Sequence, residues 1–283
     1  MPRPRPFQQV DVFTTTPYRG NPVAVVLDGD GLDDDEMLRI AHWTNLSETT
    51  FVVAPTDERA DYRVRIFTPG GELPFAGHPT LGTCHAWTAA GGRPQDPEIT
   101  VQECAVGLVP IRRGAGGSLA FAAPPLLREG PVDEDELVEV AGLLGVEREA
   151  VVDAAWVDNG PGWVGVLLGS VDEVLAVRPA PSDRKIGVVA LHPAGGPGDP
   201  AVEVRGFFPK DGGGTVAEDP VTGSLNASLA SWLLATGRVT APYVARQGTA
   251  LGRDGRVEVT VDDAGTIWVG GGTVTCIAGE IVA

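Results

Sequence analysis

Cysteine is scarce in this sequence. Cys84, Cys104 and Cys276 are the only three in 283 residues, and none forms the Cys-x-x-Cys spacing of a zinc or thiol redox site. A reduced, cytoplasmic setting is expected. Long apolar runs are also missing. No segment reaches the ~20 apolar residues of a membrane-spanning helix, and the opening "MPRPRPFQQVDVFTTTPYRG" holds no apolar core of signal-peptide length. A soluble, unexported protein is expected. Basic charge is in deficit, with 21 Lys and Arg against 38 Asp and Glu and a net charge of −17. That field repels polyanions, so nucleic acid and anionic membrane are poor partners. It repels small anions too, so a carboxylate site needs local help from helix N-termini, His or Arg.

Other chemistries lack their signatures. The four histidines, His42, His78, His85 and His192, have no second His or Cys at ligand spacing, so no metal is expected. "GAGGSLA" does not sit between a strand and a helix as a dinucleotide fingerprint would, "VTGS" lacks the Lys of a phosphate loop, and no Gly-x-Ser-x-Gly elbow occurs. Acid/base chemistry without a cofactor is what remains.

The pattern that is present describes an α+β protein. "FQQVDVF" and "NPVAVVL" are short β-branched runs around the turn-rich "TTTPYRG", which predicts a hairpin. "LDDDEMLRIAHWTN" has an acidic first turn and apolar residues at helical spacing. Strands follow at "TTFVVA" and "DYRVRIFTP", then a turn at "GGELPFAG", a helix over residues 79–90 with Pro79 at its first position, and more strands at "EITVQE", "GLVPIRR" and "SLAFAAPP". "APPLLREGPVD" reads as a linker. The same grammar then repeats: an acidic-start helix at "VDEDELVEVAGLLG", strands "AAWVDNG", "WVGVLLG", "IGVVALHP" and "VEVRGFF", and a helix from Leu225 to Ala235 closed by Gly237. The expectation is two pseudo-equivalent lobes, each a curved, mostly antiparallel sheet around a central helix, with the active site in the cleft between them. The N-terminal lobe is assigned to residues 1–126, completed by about 270–283, and the C-terminal lobe to 127–269.

Two turns stand out because both precede a helix of small or apolar residues: "PFAGHPTLGT" and "EDPVTGSLNASLA". A helix N-terminus presents unpaired backbone N–H groups and the positive end of the macrodipole, a receptor for carboxylate. Gly77 and Gly223 allow close approach of backbone to ligand, and His78 and Ser224 add side-chain donors. Simple helix capping is the other reading of Ser224, and Asp219, before Pro220, could merely bond its own turn. Glu48 sits in "NLSETTFVV" where a helix ends and a buried strand begins. Burial would raise its pKa toward the range of a general base, whereas an exposed loop carboxylate would do nothing. The acidic runs Asp33–Glu36 and Asp133–Glu136 read as solvated first turns.

These pieces together resemble the phenazine-biosynthesis PhzF-like isomerases, whose fold is similar to that of diaminopimelate epimerase. The resemblance spans nearly the whole chain through "QVDVFTTTPYRGNPVAVV", "NLSETTFVV", "RIFTPGGELPFAGHPTLGT", "WVDNGPGW", "EDPVTGS" and "VGGGTVTCIAGEI". It implies that Glu48 is the acid/base, that His78 and Asp219 share the catalytic site, and that Asn21, Gly77, Gly223 and Ser224 bind substrate. It also implies no cofactor, a small-molecule carboxylate substrate and a homodimer. The family's best-known reaction moves a proton between carbons of trans-2,3-dihydro-3-hydroxyanthranilate. Epimerases of similar fold use a cysteine in each helix-opening turn, and here neither turn has one, so two-base epimerisation is the alternative; a noncatalytic metabolite-binding protein of the same fold is a third. Two departures bear on the pocket: Leu225-Asn226, where small Ala is common in the family, and the Gly-rich stretch Gly212–Gly214.

Overall fold

The computed structural model describes residues 2–196, 198–210 and 214–283, so Gly212 and Gly213 of the Gly-rich stretch lie outside the described residues. The chain divides into two units, one made of residues 1–122 with 270–283 and the other of 123–269.

In the first unit, β1 (Pro4–Val12) and β2 (Asn21–Val26) form an antiparallel hairpin in which Val10 faces Val23 and Val12 faces Asn21. The other edge of β1 pairs antiparallel with the last strand of the chain, Thr273–Val282. Helix α1 (Asp34–Thr44) follows, with a capping box in which Asp33 accepts from the Glu36 backbone and Glu36 reaches back to the Asp33 backbone. Its acidic first turn also complements the helix dipole. Asn45 ends the helix in the left-handed region, φ 54°, and turns the chain directly into β3 (Glu48–Val53), which runs parallel to β2. Then β4 (Tyr62–Thr68) pairs antiparallel with β3 and with the short β5 (Gly71–Leu73).

Helix α2 (Gly77–Ala89) has nine buried residues, among them every position from Gly77 to Cys84. Small and apolar all round, it is built for burial rather than for a half-wet surface. Gly82 sets its depth: a Cβ there would lie 2.3 Å from Val23 Cγ1, so the absent side chain lets helix and sheet touch. The unit continues with β6 (Ile99–Cys104), β7 (Gly107–Arg113) and β8 (Leu119–Ala122), each antiparallel to the next, and β6 lies parallel to β4.

The second unit opens with β9 (Arg128–Pro131), antiparallel to β10 (Val151–Asp158). Between them α3 (Glu134–Leu144) is capped by Asp133 and stopped by left-handed Gly145. Its buried Leu137, Val140, Ala141 and Leu144 pack with Val164, Val166, Ile186 and Val188 from β11 (Trp163–Leu168) and β12 (Lys185–Leu191). The short α4 (Val171–Ala176) links those two strands, which run parallel. Next come β13 (Pro200–Lys210), β14 (Thr215–Asp219) and α5 (Gly223–Ala235). A Schellman-type end closes α5, with Gly237 N–H donating to Leu234 O and Arg238 N–H to Leu233 O. The strands β15 (Tyr243–Gln247), β16 (Gly255–Val261) and β17 (Ile267–Gly271) lead to the closing strand, β18.

Several elements depart from the sequence reading. The "linker" contains β9, and the "GGELPFAG" turn contains β5, because three or four residues of strand leave no period to detect. Six-residue α4 falls below the same threshold. Both central helices start two residues early, α2 at Gly77 and α5 at Gly223. Pro79 is therefore the third helical residue, still within the first turn where its missing N–H costs nothing. Leu225 and Asn226 are both interior. Leu225 is fully buried over Gly187 and Gly206, where a Cβ would lie 2.3 Å and 3.0 Å from its methyl groups.

Candidate active site

In the first unit the geometry of Glu48 follows from the tight α1–β3 junction. The left-handed turn at Asn45 leaves only two residues before β3, and Glu48 begins that strand with its side chain 14% exposed. Parallel pairing sets it beside Val23. His78, the second residue of α2, brings Nε2 to 3.1 Å from Glu48 Oε2, off the line that a hydrogen bond requires. On the ring's other side Asn21, at the start of β2 and fully buried, places Nδ2 at 3.4 Å from His78 Nδ1. Burial pushes the His78 pKa down to about 3, opposed only by the Pro22 backbone, which favours the charged ring. His78 is therefore a neutral imidazole at physiological pH. Glu48, His78, Asn21 and Gly77, four residues from three separate elements, thus form one group.

The second unit builds a different group around the start of α5. Its N-cap position is Thr222, and no side chain caps the helix. Ser224 is not a cap; it is the second helical residue, and its Oγ accepts from Trp163 Nε1 at 3.2 Å. Indole N–H is a donor only, so the Ser224 hydroxyl keeps its own hydrogen to donate. Asn159 Nδ2 donates to the Ser224 carbonyl at 3.0 Å. Asp219 ends β14, and its Oδ2 accepts from Thr222 Oγ1 at 2.7 Å. Gln247, fully buried at the end of β15, ties the turn together: Nε2 donates to Thr222 Oγ1 and to Asp219 O, and Oε1 accepts from Thr222 N and Asn226 Nδ2. Asn226 is thus spent on the turn.

Thr222, Gln247, Trp163 and Asn159 were not singled out from sequence. Thr222, Trp163 and Asn159 stand inside the quoted motifs, so their positions carried a signal; Gln247 carried none. Cys84 lies fully buried within α2, with burial pushing its thiol up, the environment of an inert structural cysteine.

In the first unit a buried neutral imidazole stands against a carboxylate, a pairing able to exchange protons; in the second, the start of α5 presents backbone and hydroxyl donors. The profile of the PhzC-PhzF family, phenazine biosynthesis-like protein, matches residues 10–279. The chain is 36% identical to the trans-2,3-dihydro-3-hydroxyanthranilate isomerase of Pseudomonas aeruginosa over 90% of both chains. It is also 36% identical to antisense-enhancing sequence 1 of Schizosaccharomyces pombe, over 97% of both. Among solved structures, the PhzF-family phenazine biosynthesis protein of Bacillus anthracis superposes with a TM-score of 0.83 at 26% identity, covering 99% of this chain and all of that one. This chain belongs to the PhzF-like family and is an isomerase.

Proposed function

We propose that the protein is a cofactor-independent isomerase that moves a proton within a small cyclic amino-carboxylate, trans-2,3-dihydro-3-hydroxyanthranilate or a close relative. The observation that carries this reading is the Glu48–His78 contact of 3.1 Å, with a partly exposed carboxylate set against a buried neutral ring. Glu48 takes a proton from one carbon, the C–H electron pair moves into the adjacent π system, and the protonated Glu48 returns the proton to another carbon on the same face. The product is an isomer, and no electrons leave or enter. One base suffices. Neutral His78 can give and accept a proton through its two nitrogens without placing a competing positive charge beside Glu48. Asn21 orients that ring. Ser224, Gly223 and Gly77 supply donors for the carboxylate, and Asp219, held by Thr222, is the further residue assigned to the catalytic site. A cytoplasmic homodimer is part of the same proposal.

The test is incubation with trans-2,3-dihydro-3-hydroxyanthranilate in D2O, following product and deuterium position by NMR, with Glu48→Gln beside wild type. Turnover by wild type and a loss of about 10²–10⁴-fold in the variant is the expected result. An inactive wild type removes this substrate, and an equally active variant removes Glu48 as the base.

A further inference from the structure

Helix α2 carries His78, but its apolar character does not decide which way His78 faces. Every residue from Gly77 to Cys84 is buried, and the hydrophobic effect that buries them is non-directional, so burial alone does not choose among rotations of the helix about its own axis. Hydrogen bonds do choose, because they need both distance and angle. One such contact comes from Gln102 of β6, fully buried, which accepts from Tyr62 Oη at 3.1 Å and donates through Nε2 to Thr80 Oγ1 at 3.0 Å. This contact belongs to the fold, since α5 repeats it. Thr80 and Asn226 are each the fourth residue of a 13-residue helix, and Asn226 is bonded by Gln247, again a fully buried glutamine of the strand that follows.

A second contact has no counterpart at the matching place in α5. Thr83 Oγ1 donates to Thr50 Oγ1 at 2.8 Å, and Thr50 donates in turn to Ala24 O at 3.3 Å, all three residues being fully buried. Thr83 is the seventh residue of α2, and the seventh of α5 is Leu229, buried and apolar. Nor does Thr83 make the bond open to a hydroxyl inside a helix: Thr88 in α2 and Ser231 in α5 bond back to the carbonyl four residues earlier, whereas Thr83 reaches across to the sheet. The hydroxyl pair therefore joins α2 to β3, the two elements that carry His78 and Glu48. Thr50 and Glu48, as alternate residues, lie on one face of β3.

We propose that Thr83 and Thr50 are positioning residues, whose hydrogen bond fixes the rotation of α2 over β3 and so holds His78 against Glu48. This rests on the reading of Glu48 and His78 as members of the acid/base site. At the ~5–6 Å radius of a helix with its side chains, a rotation of about 10° moves a side-chain tip by about 1 Å. A displacement of that size can cost about a hundredfold in rate.

The experiment compares Thr83→Val with Thr83→Ser by two readouts: the titration of the His78 ring followed by NMR, and steady-state turnover of trans-2,3-dihydro-3-hydroxyanthranilate. Valine keeps the shape and removes the bond, while serine keeps the hydroxyl and removes a methyl. A packing role favours valine; a positioning role favours serine. In wild type and Thr83→Ser the ring is expected to titrate at its pKa of about 3. In Thr83→Val it leaves its dry seat and titrates at least about one pH unit higher, and kcat falls on the order of ten- to a hundredfold with KM changed less. Thermal melts establish that the variants are folded, and Thr50→Val, which removes the acceptor instead of the donor, replaces Thr83→Val if that variant does not fold. An unchanged ring titration in Thr83→Val, or a greater loss in Thr83→Ser than in Thr83→Val, overturns the proposal. A ring that shifts in Thr83→Val while kcat holds leaves the positioning standing and removes His78 from the acid/base site. If wild type does not turn over this substrate, the proposed reaction falls, and the ring titration decides the positioning by itself.

Discussion

His78 shows how one buried residue links stability to pH. Its pKa of about 3 in the folded protein lies below the 6.5 of a free imidazole because burial disfavours the charged ring. Between those values the unfolded chain binds a proton that the folded one does not, so folding stability rises with pH from about 3 to 6.5 and is lost on acidification through that window. The slope from this one group is at most about 1.4 kcal/mol per pH unit. Thermal or urea unfolding of wild type and His78→Gln from pH 4 to 7 is expected to give a shallower pH dependence in the variant. A slope unchanged by the substitution shows that the ring titrates normally. Glu48 and His78 were both legible as candidates from the chain, since each stands beside a recognisable break in periodicity. Their contact was not, because the 29 residues between them, strands and turns, decide whether β3 and α2 start side by side.

The turn before α5 is the element whose construction matters most. Six residues from Asp219 to Ser224 were readable as a motif, but what holds them is a buried glutamine more than twenty residues further on. Replacing Gln247 by Leu takes the acceptor from the buried Thr222 N–H and from one hydrogen of the Asn226 amide, whose other bond, to Thr222 O, remains. Each orphaned buried donor costs about 1–3 kcal/mol, so a loss of at least about 2 kcal/mol is expected in urea denaturation, with the midpoint lowered. A smaller loss means that water enters and replaces the amide. The same turn explains why Leu225-Asn226 fits here: the leucine fills the space over two sheet glycines and the asparagine bonds Gln247. From sequence these two residues looked like a change to the pocket, because a helix of apolar residues does not reveal which of its faces meets the sheet.

At the scale of the whole molecule the net charge of −17 sets the approach of ligands. An anionic substrate is repelled at long range and held only by local donors. Raising ionic strength from about 10 to 150 mM shortens the Debye length from about 30 to 8 Å, so kcat/KM for a carboxylate substrate is expected to rise several-fold in steady-state assays over that range. A fall instead shows that a local positive field dominates the approach. No helix is long and apolar enough to cross a membrane among the described residues.

The sequence by itself determined the α+β class, the long strands, the two buried helices and the acidic first turns of α1 and α3, since these depend on periodicity and charge within a few residues. It also marked the two helix-opening turns through their Gly, His, Asp and Ser content. Only the tertiary structure decided that the last strand pairs with the first, that three-residue β5 and four-residue β9 are strands at all, and that Ser224 is bonded by Trp163 rather than capping its helix. Those choices are made by partners tens to hundreds of residues away, where hydrogen bonds must be satisfied across space and no local pattern records them.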